Sequence, residues 1–148
     1  MRKFAIFGFA MLGLFVIDQG LKDLFESGYN WQSKCISLEL HYNKGVAFSM
    51  FSALGSYLKW IQVLLVALLG YFIMQEQWLK RYPLSVSLLA AGALGNIYDR
   101  FTKEGVVDFF HWHCGFDFAV FNFADTIIDL GIALILIQEF LRFRREKR

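Results

Sequence analysis

The run FAIFGFAMLGLFVIDQGLKDL, residues 4–24, decides what kind of chain this is. Arg2 and Lys3 precede it, which gives it the charged start and hydrophobic centre of a signal peptide. A cleavage site would need small residues after the apolar part. Here Asp18, Lys22 and Asp23 follow instead, with no A-x-A pattern. At about 20 residues per crossing, the run reads as an uncleaved first membrane helix. Asp18 and Lys22 stand four apart near its exit and so share one face. A helix-end ion pair would explain them; so would a functional site, because ionisable groups inside a span are functional candidates by default.

The rest of the chain suits the same environment. Hydrophobic residues make up 57% of the 148 and Phe alone supplies 17, far beyond the usual soluble domain. Further apolar runs occupy residues 57–74, 84–101 and 123–141, the third entered through Pro83 at a first-turn position. Ala90, Ala91, Gly92, Ala93 and Gly95 would let that third helix approach a neighbour closely. Residues 34–51 alternate loosely between apolar and polar, and Asn43, Lys44 and Gly45 interrupt them as a turn would. The expectation is one integral membrane domain over residues 1–148: an all-α protein of four transmembrane helices, with a small extracytoplasmic sheet at about 34–51.

Charge orients it. Arg2, Lys3, Lys80, Arg81, Arg142, Arg144, Arg145, Lys147 and Arg148 are nine of the fifteen basic residues, and all fall in the segments that four spans would leave on one side. By the positive-inside rule both termini are cytoplasmic. No basic block is interleaved with aromatics as nucleic-acid binding would need. Cys35 and Cys114 form no CxxC and lie on the outer side, where a disulfide is allowed; the sequence leaves their pairing open.

In that topology the unusual polar residues share one depth. Asp18 and Lys22 end the first helix; Asn43 lies in the outer loop; Asn96, Asp99 and Arg100 end the third helix. Asp108 falls in the outer connection, and Asn122 and Asp125 open the fourth helix. Structural accidents would scatter across both faces, so the coincidence reads as an active site. Asp108 and Asp125, each in aromatic sequence, suit an aspartate dyad: like charges sharing a desolvated site hold one proton between them. The ionised member then activates water and the protonated member donates to a peptide carbonyl. Asn122 is a good N-cap, which puts Asp125 at the third helical position. Asp99 beside Arg100 reads as a group that orients the site, and Asn96 with Arg100 as a grip on the substrate backbone. Asp129, one turn beyond Asp125, has no obvious partner.

Five segments carry a resemblance: DQGLK at 18–22, YNKGVAFS at 42–49, GALGNIYDR at 92–100, GVVDF at 105–109 and FNFAD at 121–125. In content and order they closely resemble the bacterial lipoprotein signal peptidases (signal peptidase II). The resemblance implies that Asp108 and Asp125 are the catalytic dyad. It also places Asp18, Lys22, Asn43, Gly45, Asn96, Asp99, Arg100 and Asn122 on the family's other functional positions. The implied fold is four transmembrane helices, an extracytoplasmic β-cradle and a short surface helix, in the bacterial inner membrane. The implied substrate is a prolipoprotein whose cysteine carries diacylglycerol, cut just before that cysteine, with no metal or cofactor. A monomer among membrane lipids is the expected state, which the sequence itself leaves open. Two departures are Ala91-Gly92, where the family has paired glycines, and Asp129.

A zinc-dependent hydrolase is the alternative, because His111, His113 and Cys114, with His41, offer ligands and His-x-His on a strand points both rings one way. A transporter would place its polar residues near the bilayer midplane, whereas here they gather at the outer edge.

Overall fold

The structure is a computed structural model that describes residues 2–45 and 54–147. Four long helices dominate it: α1 (Arg2–Glu26), α2 (Tyr57–Gln75), α4 (Pro83–Thr102) and α5 (Phe123–Glu146), with a four-residue helix α3 (Trp78–Arg81) between α2 and α4. The apolar runs read from the sequence all fall within these helices, which extend a turn or less beyond them except at the C-terminal end of α5. Among the described residues two helices, Arg2–Glu26 and Tyr57–Gln75, are long and apolar enough to cross a membrane.

α4 is the hub, packing along both α1 and α5. One core cluster joins Ile73, Tyr82, Val86, Leu89 and Ile135, and a second joins Leu88, Ala91 and Ile127. The small residues of α4 explain how close the helices come. A Cβ on Gly92 would lie 2.6 Å from Ile128 of α5, and one on Gly95 would run into the Asp18 carboxylate of α1. The outward faces stay apolar, with Phe9 at 80% exposure on α1 and Leu136 at 64% on α5. Such surfaces match lipid rather than water.

The sheet differs from the expected one. Its order is β1 (Trp31–Gln32), β2 (Ile36–Asn43), β3 (Val106–Trp112), all antiparallel. β2 falls within the alternating segment, and Lys44 and Gly45 bend away from it. Residues 46–51, also assigned to the sheet by their alternation, lie outside the described residues. The sequence places Asp108 in an outer connection, where the structure has β3. Val106, Val107, Asp108 and Phe109 are all buried, so no polar face marks every second residue as it does in a half-exposed strand. β2 pairs His41 with Asp108 and Asn43 with Val106, with an irregularity between Leu38 and His41.

Candidate active site

Asp125 owes its position to the start of α5. Asn122 caps the helix and accepts from the Asp125 N–H at 2.9 Å, while an Asp125 carboxylate oxygen accepts from the Asn122 N–H at 3.2 Å. This reciprocal capping box satisfies two backbone donors and fixes the carboxylate at the helix mouth. Asp108 arrives from the other direction, on β3. Its two oxygens accept from Asn122 Nδ2 at 2.8 Å and from Asn43 Nδ2 at 3.0 Å. Asn122 therefore touches both carboxylates.

Asn96, on α4, completes the bridge. Its Nδ2 donates to Asp125 at 2.8 Å, and its Oδ1 accepts from Asn122 Nδ2 and from Lys22 Nζ, each at 3.1 Å. Both polar atoms of Asn96 are thus engaged inside the protein. Lys22 has no exposed surface and lies 2.8 Å from Asp18 and 2.7 Å from Asp99. Asp99 also accepts the Val107 N–H at 3.2 Å, which pins β3 one residue before Asp108. The Arg100 guanidinium donates to the Gly45 carbonyl, and the Gly45 N–H donates to Asn43 Oδ1 at 3.0 Å. The structure thus brings all ten sequence-assigned residues into one network. Asp129 stands exposed outside it.

Asp108 and Asp125 face a cavity of about 390 Å³, lined among others by Asn43, Asn96, Arg100, Phe118 and Phe121. Burial pushes the Asp108 carboxyl up to about 7, with the Asp125 charge adding to it and the N–H groups of Asn43 and Asn122 opposing. Near neutral pH, then, Asp108 can hold or release a proton.

The zinc reading is corrected. Cys114 is bonded to Cys35, so it offers no thiolate. His113 Nε2 pairs with Ser37 Oγ at 3.0 Å, His41 with Glu39, and His111 faces Asp117. Among the described residues, no three His, Cys, Asp or Glu side chains converge as metal ligands must.

Three contributors had not been assigned. Gln19 Nε2 donates to Asp18 at 3.0 Å and to Asp99 at 3.3 Å. Lys103 reaches Glu26 at 2.6 Å and Asp99 at 3.6 Å. Gln62, on α2, lines the cavity. Gln19 lay inside the DQGLK segment, and Gln62 left a signal as the one polar residue between Trp60 and Gly70 of an apolar run.

The fold recurs in solved bacterial membrane enzymes. One determined by the in meso method at 2.3 Å resolution matches with a TM-score of 0.79 and 27% identity, over 96% of this chain and 91% of its own. A second, at 1.9 Å resolution, matches with a TM-score of 0.73 and the same identity, over 89% and 90%. The family model for signal peptidase (SPase) II matches residues 10–141, and the chain belongs to that family of bacterial membrane proteases. The lipoprotein signal peptidase of Sulfurovum sp. (strain NBC37-1) is 56% identical over 140 residues, spanning 95% of this chain and 96% of that protein. That of Sulfurimonas denitrificans is 50% identical, spanning 94% and 90%.

Proposed function

We propose that the chain is an aspartyl endopeptidase that removes the signal peptide from diacylglyceryl-modified prolipoproteins, cutting just before the lipidated cysteine. The observation that carries this reading is the meeting of Asp108 and Asp125 on one asparagine, Asn122, at the wall of an open cavity.

In the proposed reaction the pair holds one proton. The ionised carboxylate takes a proton from water, whose oxygen attacks the scissile carbonyl carbon; the protonated carboxyl donates to the carbonyl oxygen. The tetrahedral intermediate collapses as the C–N bond breaks and the leaving nitrogen takes a proton from the pair. The two carboxyls titrate as a unit. Asn43, Asn96 and Asn122 hold their oxygens in place, Lys22 with Asp18 and Asp99 fixes Asn96 and β3, and Arg100 with Gly45 shapes the cavity wall.

The chain is read as a single membrane domain with four spans, α1, α2, α4 and α5, both termini cytoplasmic and the site at the extracytoplasmic face. The Cys35–Cys114 disulfide supports that side. Exposed Trp112, Phe116 and Phe118 suit a headgroup-level position. At that depth the substrate's acyl chains stay in lipid while the scissile bond meets water. The enzyme works as a monomer in this reading, because one chain supplies every residue of the site.

The test is cleavage of a lipidated precursor peptide in detergent. Asp108→Asn and Asp125→Asn should each abolish turnover while the protein still unfolds cooperatively. Appreciable cleavage by either variant would sink the dyad.

A further inference from the structure

Gln62 is the polar side chain that the reaction above does not use. It sits on α2, whose neighbouring Leu64, Leu65 and Leu68 are exposed and apolar, yet it lines the same cavity as Asp108 and Asp125. Its Oε1 is buried and has no hydrogen-bond partner among the described residues. An unsatisfied amide oxygen in apolar surroundings is costly, so the position calls for a donor that the described residues do not supply. The other cavity amides are engaged: Asn43 on Asp108 and Gly45, Asn96 on Asp125, Asn122 and Lys22. One more buried atom on the cavity wall is unpartnered, the Nε of Arg100. An unmet acceptor and an unmet donor facing one cavity complement an extended peptide backbone, which offers N–H and C=O together.

We propose that Gln62 is a substrate-positioning residue whose Oε1 accepts a backbone N–H of the bound precursor near the scissile bond. This rests on the peptidase reading and adds to it a contact from α2, which supplies no member of the dyad network. Gln62 acts on binding and register rather than on the proton transfers.

The test compares wild type with Gln62→Leu on a lipidated precursor peptide in detergent, reading KM and kcat separately and the melting temperature of each preparation. One lost hydrogen bond should raise KM about three- to tenfold with kcat less affected. The melting temperature should hold or rise, because an unsatisfied buried group has been removed. In a series of precursors N-methylated at single amides around the scissile bond, one methyl should weaken wild type and leave Gln62→Leu indifferent. An unchanged KM, or a lower melting temperature together with equal sensitivity to every N-methyl, would overturn the proposal by showing a merely structural Gln62. A wild type whose cleavage survives Asp108→Asn would instead overturn the peptidase reading beneath it.

Discussion

Asp108→Asn should kill the enzyme and, at alkaline pH, stabilise it. The carboxyl moves from an ordinary 3.8 in the unfolded chain to about 7 in the fold, mainly through burial. The raised value sets the sign. Below pH about 4 the group is neutral in both states and costs nothing; as pH rises through 7 the fold must hold a charge that water would solvate better. Above both values the penalty reaches about 4 kcal/mol. Asparagine removes the charge but not without loss, because both Asp108 oxygens accept N–H groups and the new amide turns a donor toward one of them. That mismatch costs about 1–2 kcal/mol. A net gain of about 2–3 kcal/mol remains at pH 8, about 5–10 °C for a chain of this size. Thermal unfolding of both proteins in one detergent, from pH 4 to pH 8.5, measures it. The variant should melt above wild type at pH 8, and the gap should close and reverse toward pH 4. A variant that melts at or below wild type across the whole range would refute a desolvated Asp108.

Lys22→Met should be severe, since it leaves Asp18 and Asp99 buried without their shared cation; the loss is about 3–5 kcal/mol by thermal unfolding. Combining it with Asp18→Asn should recover part of that, and a single variant that melts like wild type would remove Lys22 from the network. Asp18→Ala should lower turnover well beyond its change in melting temperature; parallel losses would reduce the pair to a helix-end ion pair. A precursor lacking diacylglycerol should be cut far more slowly than the lipidated one even at high concentration, since each buried methylene adds about 0.8 kcal/mol of membrane affinity. Equal rates would leave a general peptidase at the membrane surface.

The helices were legible because long apolar runs with capping signals are local. Pro83 at the first turn of α4 and Asn122 with Asp125 at the start of α5 read from a few adjacent residues and stand so in the structure. The site residues were grouped for a different reason, a shared depth in the expected topology, and the structure brings those ten residues into one hydrogen-bonded network. What could not be read was pairing. Nothing local links Lys22 to Asp99 or Asn122 to Asp108, and β3 hides its strand character by being buried on both faces. α3 was passed over because four residues carry no periodicity, and the disulfide because spacing alone cannot assign a partner to Cys35.

The balance of charge around the dyad suggests why so much polar structure is buried behind it. Lys22 sits between Asp18 and Asp99, and Lys103 links Asp99 onward to Glu26 and Asp23, so in this connected chain of ion pairs four acids meet two bases. A lone lysine at the position of Lys22 would favour two ionised carboxylates and remove the shared proton that the proposed reaction needs. With its charge answered by Asp18 and Asp99, Lys22 can orient Asn96 and still leave the Asp108 carboxyl near 7. In the proposed reaction the network would therefore transmit position to Asp108 and Asp125, with the Lys22 charge answered by the two acids beside it. Among the described residues Arg100 is the cation on the cavity wall, facing the space a substrate backbone would fill in the proposed reaction.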